Sequence, residues 1–283
     1  MFTIESILEE HYPAHKIAEW QLSILKRVLH EKEFHDFDKH YRHLKGLDMV
    51  EQVFEYFDIR CDTSERDLEH IPTSGPVVIV ANHPSGTLDG LALLHTVSQV
   101  RRDVKIVTNS WLSYLKALNN LTLTVDNMGN RTSRQQIELM QEHLNNQGAL
   151  VFFPSGEVSR FSSRGVRDGK WNQGVIRIAA RSRAPIVPIH ISSRNSTLFY
   201  AASAIYQPLS TLMLVHEMFR QQGSRIKLQI GAHIPFAHWH DGRTPAKELA
   251  ARFREHAYRI VQKKSGLFQT EAPIALARKI AGN

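Results

Sequence analysis

The chain has 283 residues, 42% hydrophobic and 22% charged, a formal net charge of +7 and one cysteine, Cys61. That length buries a sizeable core in one large or two small domains, and a single cysteine excludes an internal disulfide framework and fits a reducing compartment. A positive balance draws a protein to an anionic membrane face, a phosphorylated substrate or nucleic acid, and it is equally compatible with a plain solvated surface.

Residues 1–58 read as a helical region, and residues 59–283 as an α/β domain forming one compact unit with it. Met1 to Glu10 carries three glutamates and no basic start, unlike a secretory signal. Ala14–Leu29 spaces Ile17, Trp20, Leu22, Ile24, Leu25 and Val28 as a broad amphipathic stripe. Further helices are expected over Phe34–Leu44 and Met49–Phe57. From Ile59 the rhythm changes to strands alternating with helices. Strands are expected at Val77–Ala81, Val104–Thr108, Leu121–Val125, Ala149–Phe153, Ile186–Ile191 and Ile226–Ile230. The helices between them are Asp89–Val97, Ser110–Leu118, Arg134–Leu144 and Asn172–Ala180. Ser133 and Gln136 form a capping-box pattern, and Thr244-Pro245 opens a last helix through Lys264. This order implies an α/β fold with a mostly parallel sheet flanked by helices and an N-terminal helical layer. The longest stretch without Asp, Glu, Lys or Arg is Asn195–His216. It holds Asn195, Gln207 and Pro208, so it reads as an interfacial or substrate-facing segment rather than a membrane span.

Two turns carry the chemistry. After the apolar run Val77–Val80 comes Ala81-Asn82-His83-Pro84-Ser85-Gly86-Thr87-Leu88-Asp89-Gly90. His83 leaves a buried strand and Asp89 opens a helix. A histidine takes a proton near neutral pH, and a carboxylate beyond the turn can hold its tautomer so that Nε2 faces a substrate. The same pair also reads as a strand end and a helix cap. Further on, the strand at Ala149–Phe153 runs into Pro154-Ser155-Gly156-Glu157-Val158-Ser159-Arg160. Gly156 lets backbone N–H groups approach an anion, and Arg160, Arg164, Arg167 and Lys170 supply charge. An ordinary strand-to-loop turn with a solvated basic tail has the same pattern.

Together the turns resemble the lysophospholipid acyltransferase family, including the 1-acylglycerol-3-phosphate acyltransferases. That family carries Asn-His-x4-Asp and, downstream, Phe-Pro-Glu-Gly-Thr-Arg-Ser. Here five residues separate His83 from Asp89, and Ser155 and Glu157 replace the glutamate and threonine. Those departures resemble the bacterial hemolysin-like branch, related to the O-acyltransferases that complete ornithine lipids. Val125-Asp126-Asn127, Trp171, Ala184–Ile189, Arg194-Asn195-Ser196 with Leu198-Phe199-Tyr200, and Ile230-Gly231 resemble the same branch.

The resemblance implies an O-acyltransferase in which His83 deprotonates the hydroxyl of a lysolipid, which attacks an acyl thioester directly. Its co-substrate would be acyl-CoA or acyl carrier protein, with no cofactor and no metal. The implied catalytic residues are His83 and Asp89; the implied substrate-binding residues are Asn82, Ser155, Gly156, Glu157 and Arg160. The N-terminus of the helix at Asp89, or N–H groups of the glycine turns, would steady the oxyanion. Val158 stands where the glycerol-phosphate enzymes carry a phosphate-binding arginine. Arg160 is the nearest replacement and Arg131 a second anion-binding candidate, so a lyso-ornithine-type lipid is as open as a lysophospholipid. An acyl thioester donor, a lysolipid acceptor and an anionic membrane surface are the expected partners, with the protein peripheral on the cytoplasmic face of the inner membrane. Nucleic acid is not expected, for no recognition helix or clustered basic tract is present. An acyl thioesterase using the same His/Asp pair and a non-catalytic membrane-lipid-binding protein remain the alternatives. His35, Asp36, His40 and His43 read as a solvated helix face, and His238-Trp239-His240 as a loop without a role.

Overall fold

The computed structural model describes residues 18–109, 116–125, 133–163, 165–205, 207–262 and 267–268. Part of the first expected helix, most of the one at Ser110–Leu118, and Asp126, Asn127, Arg131 and Arg164 lie outside them. Three helices come first: α1 (Glu19–Val28), α2 (Glu31–Tyr41) and α3 (Gly46–Tyr56). Only α3 is deeply built in; it places Val50 and Phe54 in the core beside Leu91 and Leu94. After β1 (Arg60–Asp62) and the short α4 (Glu65–Leu68) the chain enters β2 (Val77–Ala81). All five residues of β2 are fully buried, as expected of a Val-Val-Ile-Val run covered on both faces.

The chain continues through α5 (Thr87–Ser98), β3 (Val104–Asn109), β4 (Thr122–Val125), α6 (Arg134–Asn145) and β5 (Ala149–Phe152). A hairpin of β6 (Arg160–Ser162) and β7 (Gly165–Arg167) follows, then α7 (Gly174–Arg181) and β8 (Ile186–Ser192). The last elements are α8 (Thr197–Ile205), α9 (Gln207–Arg220), β9 (Arg225–Ile230), α10 (Phe236–Trp239) and α11 (Ala246–Val261). Among the described residues seven strands form one sheet in the order β1-β9-β8-β2-β5-β3-β4. Every pairing in it is parallel except β8 with β9. The expected α/β architecture with a mostly parallel sheet is therefore present.

Alternate residues of β2 face two cores. Val77, Ile79 and Ala81 pack with α3 and α5; Val78 and Val80 pack with residues of α6, α7 and α11. Truncating Ile79 to Ala would cost about 2–5 kcal/mol, because a filled site of this kind collapses only partly. The register pairs Val80 with Phe152, so the turns after β2 and β5 leave the carboxyl edge of the sheet side by side. Open α/β sheets build their sites at that edge.

Several boundaries differ from the expectation. The capping box at Ser133 is present, with Ser133 N–H donating to Gln136 Oε1 (2.9 Å) and Gln136 N–H to Ser133 Oγ (3.2 Å). The stretch at His238-Trp239-His240 is not a loop: its first part closes α10, and Trp239 is buried against Phe253. The long uncharged segment forms α8 and α9. Three-residue strands β1, β6 and β7 leave too short a pattern to show period two.

Candidate active site

His83 follows β2 and Asp89 occupies the third position of α5, joined by a turn that only glycine allows at position 86. Gly86 has φ +93°, and a Cβ there would stand 2.9 Å from Cδ2 of Leu214 on α9. The turn folds Asp89 back over its own start. Asp89 Oδ2 accepts from the N–H groups of Ser85 (2.7 Å) and Gly86 (2.9 Å), and Oδ1 accepts from the Ser85 hydroxyl. His83 Nδ1 completes the set at 2.9 Å from Asp89 Oδ2. The Asp89 side chain is 0% exposed and that of His83 18%. Cap and orienting group are therefore one carboxylate, and the two readings of Asp89 hold together. Being acceptor-only when ionised, it selects the tautomer with the proton on Nδ1, leaving a lone pair on Nε2. Nε2 has no hydrogen-bond partner among the described residues. Phe153, just past β5, stacks on the imidazole at 3.9 Å between centroids.

The second turn is built differently. Ser155 Oγ donates to the Glu157 carbonyl (2.7 Å), and Gly156 has φ +69° with nothing near its missing Cβ. Gly156 and Glu157 are exposed, whereas Val158 is buried. Arg160 lies 4.0 Å from the Glu157 carboxylate, with its guanidinium 5.8 Å from the ring of the buried Phe199. A planar cation held by an aromatic face and a carboxylate is pre-oriented for an anionic or carbonyl oxygen.

Not every expected residue faces a ligand. Asn82 is almost fully buried and its amide is engaged twice with the main chain of β8: Nδ2 donates to Ile191 O (2.9 Å) and Oδ1 accepts from Ile191 N–H (2.7 Å). It extends the β2–β8 pairing beyond Ala81 with a side chain, so the residue expected to bind substrate has its amide engaged with the main chain. Three N–H groups of the glycine turns are likewise already engaged. The N–H groups of Ser85 and Gly86 go to Asp89, and that of Gly156 goes to the Phe153 carbonyl (3.0 Å).

Resemblance alone singled out the segment Arg194-Asn195-Ser196 with Leu198-Phe199-Tyr200, and no motif pointed to Glu217 or His190. The segment after β8 walls the site: Asn195 Nδ2 donates to the Pro84 carbonyl at 3.4 Å, and Asn195 N–H to the Tyr200 hydroxyl at 3.2 Å. Burial first, with the nearby Asp89 and Glu217 charges adding to it, holds the Tyr200 phenol above its usual range. Glu217 on α9, itself buried, ties this segment down by accepting from Ser196 N–H (2.7 Å) and Oγ (2.5 Å). On β8, His190 is held down to about 4 by burial and then by the Arg167 cation, so it is neutral in the folded protein near pH 7. Among the described residues no group of three His, Cys, Asp or Glu side chains is placed to hold a metal ion, and no helix is long and apolar enough to cross a membrane.

A lyso-glycine lipid O-acyltransferase from Phocaeicola vulgatus is 27% identical to this chain over 238 residues, covering 82% of this chain and 84% of that protein. One from Bacteroides thetaiotaomicron is 26% identical over 238 residues, covering 82% and 86%. The solved 1-acyl-sn-glycerophosphate acyltransferase PlsC from Thermotoga maritima superposes with a TM-score of 0.48 at 16% identity, covering 76% of this chain and 79% of that one. A family model described as acyltransferase matches residues 6–264. That match takes in both turns and all seven strands of the sheet, and the chain belongs to the acyltransferase family.

Proposed function

We propose that the protein is a lysolipid O-acyltransferase that uses His83 as general base. The observation that carries this reading is the 2.9 Å contact between His83 Nδ1 and a fully buried Asp89, which leaves Nε2 as the free ring nitrogen. In the proposed step Nε2 takes the proton of the acceptor hydroxyl while its oxygen attacks the thioester carbonyl. The tetrahedral intermediate collapses, the C–S bond breaks, and the thiolate leaves with the proton that His83 received. A thiol of pKa near 8.5 is a good leaving group at neutral pH, so no acyl-enzyme is required.

The acceptor side is assigned to Arg160 and the exposed turn at Ser155-Gly156-Glu157. The relatives are named for a glycine lipid, and Val158 replaces the arginine expected in a phosphate-binding motif. Both favour a lysolipid with an amino-acid headgroup, whose carboxylate Arg160 would receive. Acyl-CoA and acyl carrier protein are both admissible donors. Attachment to the anionic cytoplasmic face of the inner membrane belongs to the same proposal. Its support is α1, where Trp20, Ile24 and Val28 recur every fourth residue at 66%, 53% and 37% exposure beside Lys26 and Arg27.

The test is His83→Ala assayed with acyl-CoA and acyl carrier protein donors and lyso-amino-acid lipids. Transfer should fall by about 10²–10⁴-fold, the range for loss of a general base, with an unchanged melting temperature. Retained transfer would overturn the assignment. Free fatty acid formed at a rate indifferent to added lysolipid would instead make the protein a thioesterase.

A further inference from the structure

We infer that Asp168, in the loop between β7 and α7, is a positioning residue that fixes His83 through its main chain; this rests on the reading of His83 as the base. Its carboxylate is almost fully buried and meets three donors. Oδ1 accepts from the His83 main-chain N–H at 3.1 Å and the Ser159 hydroxyl at 2.5 Å; Oδ2 accepts from the Trp171 indole at 2.8 Å. The loop that carries it is anchored from α11. Asp168 N–H donates to the Tyr258 hydroxyl (2.8 Å), and Arg254 donates to the Asp168 carbonyl (2.5 Å). The Arg167 guanidinium covers the Tyr258 ring at 4.0 Å.

The network closes on itself. Ser159 N–H donates to the His83 carbonyl at 2.7 Å, so both peptide groups of His83 are held, one by Asp168 and one by a residue Asp168 also holds. Ser159 belongs to the turn that presents Ser155, Glu157 and Arg160. The carboxylate thus sets where the imidazole starts from, and ties that position to the turn assigned to the acceptor. Asp89 fixes the ring nitrogen and Phe153 the ring face; Asp168 fixes the backbone. A reacting group displaced by about 1 Å loses on the order of 10²-fold in rate, so backbone placement alone has kinetic weight.

The experiment compares Asp168→Asn, Ser159→Ala and His83→Ala with the unaltered protein. The carboxamide of Asp168→Asn keeps one acceptor oxygen and sets a donor against either Trp171 or the pair His83 and Ser159. We expect kcat to fall about 10–100-fold with KM for thioester and lysolipid within about twofold, the pattern of a group acting only in the transition state. Ser159→Ala, which removes one hydroxyl and leaves every main-chain contact, should lower kcat about threefold to tenfold. A second readout is the Nδ1 proton of His83, assigned by its loss in His83→Ala. It should exchange with solvent faster in Asp168→Asn, as a joint elsewhere in the fold would not require. Unchanged kcat and unchanged exchange in folded Asp168→Asn overturn the inference. If Asp168→Asn does not fold, unchanged kcat and exchange in Ser159→Ala overturn it. Activity retained in His83→Ala is a separate result that removes the base itself.

Discussion

The two turns that leave the sheet beside one another solve opposite problems. In the turn after β2, the N–H groups of Ser85 and Gly86, the Ser85 hydroxyl and the imidazole all converge on one carboxylate with no exposure. In the turn after β5, Gly156 and Glu157 stand in solvent, and the bonds include Gly156 N–H to the Phe153 carbonyl, a serine to a carbonyl and a long ion pair. The first has no freedom left and suits a proton transfer, which needs a fixed geometry. The second holds its charged groups where another chemical group can displace them, and suits recognition of a headgroup. On the proposed reading, the reaction and the choice of substrate would fall to separate loops, joined through Ser159 and Asp168.

That contrast can be broken from either side. The largest expected effect after His83→Ala is Asp89→Asn. Its amide would either set a donor against ring Nδ1 and the N–H groups of Ser85 and Gly86, which all share Oδ2, or turn that donor to the Ser85 hydroxyl and leave a neutral oxygen on Nδ1; in both cases the negative charge that supports a protonated imidazole is lost. Turnover should drop by about 10²-fold or more in a steady-state assay, against a smaller change in KM. Gly86→Ala attacks the same turn sterically, through its positive φ and the approach of Leu214. It should cost about 3 kcal/mol in denaturant unfolding, and a stability within about 0.5 kcal/mol of the parent would show that the turn is not rigid.

A third effect comes from β8, where His190 meets the Tyr258 ring. Because the folded value of His190 is about 4, below its unfolded value of about 6.5, the unfolded chain binds the extra proton first. Stability present above pH about 6.5 should fall through to pH about 4, by about 2–3 kcal/mol, and His190→Asn should flatten that slope in pH-dependent melting. Smaller again is Arg160→Ala. Loss of a charge-assisted contact to the acceptor should raise its KM about tenfold with kcat nearly unchanged; a fall in kcat alone would place Arg160 in the chemistry and blur the division between the turns. The smallest effect is expected of Glu157→Gln, which changes an exposed ion pair. Stability should move by less than about 0.5 kcal/mol and acceptor KM by less than about threefold.

Much of this was legible in the residues. An all-buried strand writes an unbroken apolar run, and β2 spans the expected Val77–Ala81. The His83/Asp89 contact follows from a turn whose length and glycine leave few other closures. What stayed hidden was assembled across distance. Asp168 looks like any loop acid between an arginine and a glycine, and its anchors Arg254 and Tyr258 lie one residue face of α11 away from the motif. Asn82 looked like a ligand group because it adjoins His83; only the register of β2 with β8 reveals that Ile191 takes its amide. The β6–β7 hairpin, three residues per strand, has no period long enough to read.

Asp89 closes the first turn of α5 and holds the imidazole with the same oxygen atoms. With His83 as the proposed base, unwinding that turn would disarm it, and a partly opened molecule would not squander an acyl donor on water. Catalytic rate becomes a gauge of local order: conditions that fray the start of α5 should silence the enzyme well before the sheet melts.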